Sequence, residues 1–208
     1  MTVLENVTQM RLPLEVAELV EEKETNKDLN KNQLLMKKIL DEILSLGYYS
    51  GKKLEKAVEE ILIANGVKYK SQPNGSQKFP DFHVYFNDKE FNIECKSNKG
   101  TKITWNQSYP RDNSLYVFST STKKYMGTHL FMGQDHWRKE VKDYFLNKVL
   151  TRVKKQQDRE NKKAKSKFGD DVDLSYYCRQ MWEDKKSPID NRIEKLKNVY
   201  DYFNKELK

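Results

Sequence analysis

Apolar positions in the first third of the chain recur at the period of a helix. This pattern predicts three helices, which cover residues 13–24, 29–46 and 51–65. In the third of them Leu54, Val58 and Leu62 share one face, and Gly66 follows where a helix-ending glycine belongs. The apolar faces are expected to pack against another layer of structure.

The period changes after Gly66, where short apolar runs alternate with turn-forming residues. These runs predict strands over 67–70, 82–86, 91–96, 115–120 and 128–132. The intervening segment 97–113 is polar and rich in turn formers, so it is predicted to be a surface connection. From Trp137 the helical period returns, and it continues into a basic run that ends near Lys167.

The C-terminal part predicts a final helix that starts at Ser187, because serine can cap a first turn and Pro188 suits the first helical position. Its apolar residues are spaced 4-3-4-3-4 and are Ile189, Ile193, Leu196, Tyr200, Phe203 and Leu207. Two apolar residues per heptad fit packing on the chain's own core, and they also fit a dimer contact.

The order of helices, mixed strands and helices predicts the α/β (α+β) class, with a small mixed β-sheet flanked by helices. A chain of 208 residues suits one domain. We expect that domain to span 1–208, with an N-terminal helical addition at 1–47, the sheet core at 48–135 and C-terminal helices at 136–208.

Composition adds a partner and a location to this picture. The chain has 39 Lys and Arg residues against 31 Asp and Glu residues, a formal charge of +8. An excess of positive charge suits a polyanion such as nucleic acid, although lysine-rich surfaces also aid solubility. No apolar run approaches the roughly 20 residues of a spanning helix, and no secretion leader is evident, so a cytoplasmic location is expected. Cys95 and Cys178 are predicted to be free thiols.

Charged residues in the predicted sheet form the candidate site. On one predicted strand Glu94 and Lys96 point to one side, while Cys95 points to the opposite, apolar side. If this strand pairs as a hairpin with the strand before it, Asp81 comes to lie close to Glu94. Mg²⁺ takes one or two carboxylates from a protein and completes its shell with water and phosphate oxygens. The cluster therefore predicts a magnesium site with a lysine beside it.

The motif Pro80-Asp81, followed by Glu94-Cys95-Lys96, resembles the PD-(D/E)XK nuclease family. This resemblance implies a restriction-endonuclease-like core. It implies Mg²⁺ as the cofactor, with Asp81, Glu94 and the backbone carbonyl of Cys95 as its ligands. It further implies that Lys96 assists the water that attacks the phosphate.

The same family places a glutamate on a helix before the motif strands. Glu55 is the best match for this residue, as a catalytic group and a further metal ligand, and Glu59, one turn later, is the alternative. The whole resemblance covers residues from about 51 to 118.

Because little of the chain lies beyond this core, it looks like a type II restriction endonuclease. That resemblance implies a homodimer that cuts double-stranded DNA at a short palindrome, leaving 5′-phosphate and 3′-hydroxyl ends, and a cognate DNA methyltransferase in the same cell. Side chains that can reach phosphates and base edges follow the catalytic strand, and we expect them to contact DNA: Lys99, Lys102, Thr104, Trp105, Asn106, Gln107, Ser108 and Arg111. The alternative is an ordinary polar connection in which Trp105 anchors the segment in the core.

Several other interpretations stay open at this point. The basic run at 148–167 either contacts DNA or is a solvated helix. The same chemistry serves a structure-specific nuclease, such as a junction resolvase or a nicking enzyme. A non-catalytic, basic nucleic-acid-binding module would carry its acidic strand face by coincidence. His83, two residues after Asp81, is either structural or a neighbour of the site.

Overall fold

The computed structural model describes residues 29–76, 78–106, 109–169, 181–183 and 187–208, with only the backbone described for Asn106 and for 181–183. The predicted helix at 13–24 and Cys178 lie outside the described residues. Helices and a mixed sheet occur together in the described part of the chain, which confirms the predicted α+β class.

The helices are α1 (Lys31–Leu44), α2 (Lys52–Ala64), α3 (Gly133–His136), α4 (Lys139–Tyr144), α5 (Thr151–Phe168) and α6 (Arg192–Glu206). A π-helical segment, Phe145–Leu150, joins α4 to α5, so residues 139–168 form one continuous helical stretch. The predicted helices at 29–46 and 51–65 are confirmed as α1 and α2. Within the described residues, no helix has the length and apolar character needed to cross a membrane.

The strands are β1 (Lys68–Ser71), β2 (Phe82–Phe86), β3 (Lys89–Asn98), β4 (Thr104–Asn106), β5 (Ser114–Thr120), β6 (Gly127–Met132) and β7 (Met181–Glu183). Five of them form one sheet in the order β1-β2-β3-β5-β6. In this sheet β3 and β5 are parallel, and the other neighbours are antiparallel. The remaining two, β4 and β7, pair antiparallel as a small separate sheet that the sequence pattern did not predict.

Reciprocal hydrogen bonds explain where α1 begins. The side-chain oxygen of Asn30 accepts from the N–H of Gln33 at 3.0 Å, and the side-chain oxygen of Gln33 accepts from the N–H of Asn30 at 2.7 Å. The side-chain amides of the same two residues donate to the carbonyls of Leu207 and Asn204, each at 2.6 Å. The cap of α1 therefore also ties this helix to the end of α6.

One face of the five-stranded sheet, which we call the covered face, packs against α1, α2 and α6. Fully buried residues such as Ile39 of α1 and Leu62 of α2 meet the apolar side chains of the strands. The strand residues on this face include Phe82, Val84, Phe91, Ile93, Cys95, Leu115 and Val117. Each such aliphatic or aromatic side chain stabilises the fold by about 1.5–3 kcal/mol when it is removed from water.

The opposite face, which we call the second face, is built differently. Over β5 and β6 it is aromatic, with the rings of Tyr116 and Phe131 stacked at 5.1 Å and Trp105 edge-on to Tyr116 at 5.6 Å. Ile103, Phe118 and Ile189 complete this second cluster. Residues opposite each other in the strand pairing point to the same side of the sheet. By this rule, the second face carries polar and charged side chains over β2 and β3.

The start of α6 differs from the prediction, because the helix begins at Arg192 and not at Ser187. The preceding residues form a turn in which the Ser187 hydroxyl accepts from the N–H of Ile189 at 3.2 Å, and Asn191 has a left-handed φ of 55°. The ammonium of Lys195 donates to the carbonyl of Pro188 at 2.9 Å. Serine and proline favour a turn as readily as a helix start, which is why the sequence signal was ambiguous.

The apolar seam of α6 packs on the chain's own core. Leu196, Phe203 and Leu207 are buried on the covered face, and the hydroxyl of Tyr200 contacts the carboxylate of Asp41 in α1. Most of this seam is therefore covered by the chain's own core, whereas Ile193 of the seam is exposed. The homodimer stays a prediction.

Candidate active site

The pairing of β2 with β3 places two acidic residues side by side. The register of this antiparallel pair puts Asp81, directly before β2, opposite Glu94. The carboxylate of Asp81 accepts a hydrogen bond from the N–H of Cys95 at 2.7 Å, and its backbone carbonyl accepts from the N–H of Gln72 at 2.7 Å. These bonds hold Asp81 at the point where the ladder between the two strands ends.

Glu94 and Lys96 point to the same side of β3, as the strand alternation predicted. The ammonium of Lys96 contacts one carboxylate oxygen of Glu94. The other oxygen, Oε2, is buried and has no hydrogen-bond partner among the described residues. Burying a carboxylate oxygen without a partner costs free energy, so this oxygen is an available acceptor for a cation or a donor.

Asp81 binds its proton more tightly than an ordinary aspartate. Burial, together with the neighbouring charge of Glu94 and a smaller effect of Glu55, raises the pKa of its carboxyl to about 7. The hydrogen bond from Cys95 and the charge of Lys96 oppose this shift without cancelling it. The cluster therefore holds more negative charge than its own surroundings stabilise.

Helix α2 presents Glu55, and not Glu59, to this cluster. The N–H of Gly51 donates to the Ser97 hydroxyl at 2.7 Å, which holds the start of α2 beside the end of β3. Glu55 is close enough for its charge to act on the aspartate of the cluster. Glu59 instead accepts a hydrogen bond from the hydroxyl of Tyr69 at 3.0 Å. The structure thus distinguishes two glutamates that the sequence left as alternatives.

Cys95 offers only its backbone to this side of the sheet. Its side chain points to the covered face, where burial raises the pKa of the thiol well above its ordinary value. The thiol is therefore neutral and packs as a small apolar group. Its N–H already holds Asp81, and the role of its carbonyl as a metal ligand stays a prediction.

The chemistry of the donor set fits Mg²⁺. The carboxylates of Asp81 and Glu94 meet at the start of β2, and one oxygen of Glu94 is buried and unpartnered. In the described part of the chain, no three His, Cys, Asp or Glu side chains converge as the ligands of one metal. Glu55 acts on Asp81 through its charge, and its role as a metal ligand stays a prediction. Two carboxylates suffice for Mg²⁺, because it keeps several waters and takes oxygens from phosphate.

Trp105 differs from the other residues predicted to contact DNA, because its side chain is fully buried and has no surface to offer. It lies 5.6 Å from the ring of Tyr116 and 5.8 Å from that of His136, on the second face of the sheet. The alternative, an anchor in the core, is correct. Ile103 and Trp105 alternate with polar neighbours, but a strand of three residues is too short for this period to stand out in a polar segment.

The other residues predicted to contact DNA have varied positions. Lys99, Thr104 and Arg111 are exposed, and Lys102 is half-buried. Gln107, Ser108 and the side chain of Asn106 lie outside the described part of the chain. Exposure near the end of β3 is compatible with the predicted contacts, which stay predictions.

A cleft of about 360 Å³ opens on the second face, and the sequence analysis missed most of its residues. Asn92, two residues before Glu94 on the same side of β3, lines it. The guanidinium of Arg111 lies over the ring of Phe79 at 4.5 Å, and Lys142 from α4 contributes an ammonium. Lys142 is paired with the carboxylate of Asp112, which also lines the cleft. The guanidinium of Arg111 and the ring of Phe79 suit the phosphates and bases of a nucleic acid.

Close backbone packing positions Arg111. A Cβ atom on Gly133, the first residue of α3, would lie 1.9 Å from the carbonyl oxygen of Arg111. Glycine is required there because any side chain would push the segment away. The N–H of Arg111 also donates to the hydroxyl of Tyr116 at 3.0 Å. The aromatic part of the second face thus supports the cleft.

Two of the histidines are explained by local contacts. Nδ1 of His83 lies 3.3 Å from a carboxylate oxygen of Glu90, and Nε2 of His129 lies 2.9 Å from the carbonyl of Tyr125. His83 shares the side of β2 that leads to Asp81, but it pairs with the neighbouring strand. Neither side chain belongs to the carboxylate cluster.

Comparisons of this chain with protein-family models, with curated proteins and with solved structures found no match. No relative supplies an activity for the chain. The arrangement of Asp81, Glu94 and Lys96 is therefore the basis on which a function can be proposed.

Proposed function

We propose that this protein is a magnesium-dependent endonuclease with a PD-(D/E)XK-type active site on a restriction-endonuclease-like core. The observation that carries the proposal is the juxtaposition of Asp81 and Glu94 across β2 and β3, with Lys96 in contact with Glu94. The buried, unpartnered oxygen of Glu94 and the raised pKa of Asp81 both favour a bound cation. Glu55 on α2 supports the same arrangement from the adjoining helix.

Each residue of the cluster has its own role in this proposal. Asp81, Glu94 and the carbonyl of Cys95 would hold Mg²⁺, which, when bound, polarises the scissile phosphate and lowers the pKa of a water. The ammonium of Lys96 orients the attacking hydroxide and stabilises negative charge on the phosphate oxygens. The oxygen of the hydroxide bonds to phosphorus while the bond to the 3′ oxygen breaks. The attacking water gives up one proton to solvent, and the 3′ oxygen takes one from a solvent water, which leaves 5′-phosphate and 3′-hydroxyl ends.

The substrate that we propose is double-stranded DNA, cut at a short palindrome in the manner of a type II restriction endonuclease. The formal charge of +8 and the exposed guanidinium of Arg111 in the cleft support a polyanionic substrate. A palindromic site calls for a two-fold homodimer, and a cytoplasmic enzyme of this kind calls for a methyltransferase that protects the same sequence.

The test is cleavage of a sequenced plasmid by the purified protein in Mg²⁺ and in EDTA, followed by sequencing of the fragment ends. We expect discrete fragments that share one short sequence, in Mg²⁺ alone. Lys96→Ala should lower the cleavage rate by about 10²–10⁴-fold, because the ammonium beside the attacking water is lost. Lys89→Ala is the matched control, since Lys89 lies on the same strand but pairs with Glu206, and it should cleave like the unmodified protein.

The other outcomes separate the remaining classes of protein. Cleavage of branched or mismatched duplexes, without cleavage of linear DNA at a defined sequence, would identify a structure-specific nuclease. A binding module would bind DNA equally well with and without Mg²⁺, would still bind as Lys96→Ala, and would cleave none of these substrates. That result would contradict the nuclease proposal.

A further inference from the structure

The net positive charge of this chain is concentrated in one helical segment. Residues 148–168 contain nine Lys and Arg residues and two Asp and Glu residues, a net charge of +7 against +8 for the whole chain. The rest of the chain is therefore nearly neutral. The excess positive charge that predicted a polyanionic partner belongs to α5 and to the end of the π-helical segment before it.

This segment is attached to the fold mainly through its beginning. The rings of Trp137 and Phe145 meet at 5.1 Å, and Lys142 contacts the carboxylate of Asp112. From 139 to 168, none of the residues is buried. At about 1.5 Å per residue, α5 alone extends for roughly 27 Å.

Five exposed basic residues lie within an arc of about 100° on α5 and form what we call the basic stripe: Arg152, Lys155, Arg159, Lys162 and Lys163. The half-buried positions of the helix, such as Val153 and Ala164, lie on the opposite side. The stripe is therefore directed to solvent by the orientation of the helix.

Intramolecular carboxylates neutralise little of the basic stripe. Glu160 lies 3.0 Å from the ammonium of Lys163 and 3.5 Å from Nε of Arg159. Within the described residues, no carboxylate pairs with Arg152, Lys155 or Lys162. Exposed pairs of this kind contribute at most about 1 kcal/mol, so the stripe is available to an external polyanion.

The composition of α5 favours a phosphate backbone over other anionic surfaces. Its apolar residues are Val153, Ala164 and Phe168, which do not form the broad apolar face of a membrane-surface helix. They do not form a coiled-coil seam either. Exposed Lys and Arg in a row suit DNA, which carries one negative charge per roughly 1.7 Å of its axis.

We propose that the basic stripe binds the sugar-phosphate backbone of duplex DNA and does not read its sequence. This inference rests on the proposed function for its choice of DNA and deepens it by naming the surface that supplies most of the electrostatic affinity. Recognition of a particular sequence then falls to other residues, such as those of the cleft.

The test compares two double variants of the full-length protein that remove equal charge from the same helix. Lys155→Gln/Lys162→Gln changes the stripe, whereas Lys154→Gln/Lys165→Gln changes lysines outside it. Binding of a fluorescent 30-base-pair duplex is measured in EDTA over a range of salt concentrations, with circular dichroism to check the helix. In the stripe variant, the magnitude of the slope of log K for DNA binding against log salt concentration should fall by about 1 per lysine, equally for every DNA sequence. In the control variant, the slope should change much less.

Each outcome decides between the proposals. Equal slopes in the two variants would overturn the role of the stripe, and so would stripe-dependent binding to phosphatidylserine vesicles without binding to DNA. A reduced slope in the stripe variant, in a protein that cleaves no DNA in Mg²⁺, would support the stripe while the nuclease proposal fails. Mg²⁺-dependent cleavage with an unchanged slope in the stripe variant would support the nuclease proposal and overturn the role of the stripe.

Discussion

The two faces of the five-stranded sheet share their strands but differ in what covers them. The covered face lies under three helices, and its strand residues, such as Val84, Ile93 and Val117, are buried aliphatic side chains. The second face is aromatic over β5 and β6, but over β2 and β3 it brings Asp81 and Glu94 together. The side chains of the covered face only pack, whereas the second face carries negative charge that its neighbours do not fully stabilise.

The difference shows how one strand can serve the core and a site at once. In β3, Ile93 and Cys95 hold the strand in the core, while Glu94 and Lys96, between and after them, point to the opposite side. Substitutions on the covered face should therefore cost stability without altering the chemistry. Substitutions of the charged residues should alter the chemistry with little loss of stability.

The strongest contrast is expected between Leu62→Ala and Glu94→Gln. Leu62 is fully buried, so its truncation should lower the free energy of unfolding by about 2–5 kcal/mol and leave the activity per folded molecule unchanged. Glu94→Gln removes a buried charge, so in EDTA it should not lower the unfolding free energy, yet it should abolish Mg²⁺-dependent cleavage. Urea denaturation and plasmid cleavage measure the two effects. A large loss of stability in Glu94→Gln would show that its carboxylate is structural.

The raised pKa of Asp81 predicts a pH dependence of stability in the metal-free protein. The folded state keeps the proton up to about pH 7, whereas the unfolded chain loses it near pH 4. The contribution of this proton to the free energy of unfolding is therefore complete below about pH 4, and it is lost as the pH rises through 7. The loss should be on the order of 3 kcal/mol, measured by urea denaturation in EDTA at pH 4.5 and 7.5.

Asp81→Asn is the control for this pH dependence, because asparagine is always neutral and its oxygen can still accept from the N–H of Cys95. The difference in unfolding free energy between Asp81→Asn and the unmodified protein should grow between the two pH values. Added Mg²⁺ should stabilise the unmodified protein at pH 7.5 and not the variant. A difference that stays constant with pH would refute the assignment of the titration to Asp81.

The smallest effect is expected from the glutamates of α2. Glu55→Gln should lower the cleavage rate by about 10–100-fold, the usual cost of losing a group that supports metal ligands. Glu59→Gln, one turn further and hydrogen-bonded to Tyr69, should leave the rate within about twofold of the unmodified protein. Single-turnover rates in Mg²⁺ measure both. Equal losses of cleavage rate in the two variants would mean that Glu55 has no special role at the carboxylate cluster.

Sequence reasoning succeeded where the signal is local. The apolar period predicted α1 and α2, and the strand alternation placed Glu94 and Lys96 on one side of β3. The adjacency of Asp81 and Glu94 followed from a hairpin with a two-residue turn, whose register leaves little freedom. These predictions hold because neighbours in sequence are also neighbours in space.

The failures depend on contacts between distant parts of the chain. Trp105 lies in a polar segment, and its burial depends on aromatic partners such as Tyr116 that come from another strand. The cleft joins Arg111 to Lys142, and its position requires Gly133 beneath the segment. A local sequence pattern cannot predict contacts of this kind between distant residues.

The sequence by itself determined the periodicity of the main elements, the acidic and basic residues of the site motif, and the concentration of charge at 148–168. These are properties of composition and spacing, which need no knowledge of what packs on what. The tertiary structure decided which glutamate of α2 lies near Asp81, which side of α5 is exposed, and which polar residues are buried. Those outcomes depend on helix orientation and on which side chains exclude water, and long-range packing alone sets both.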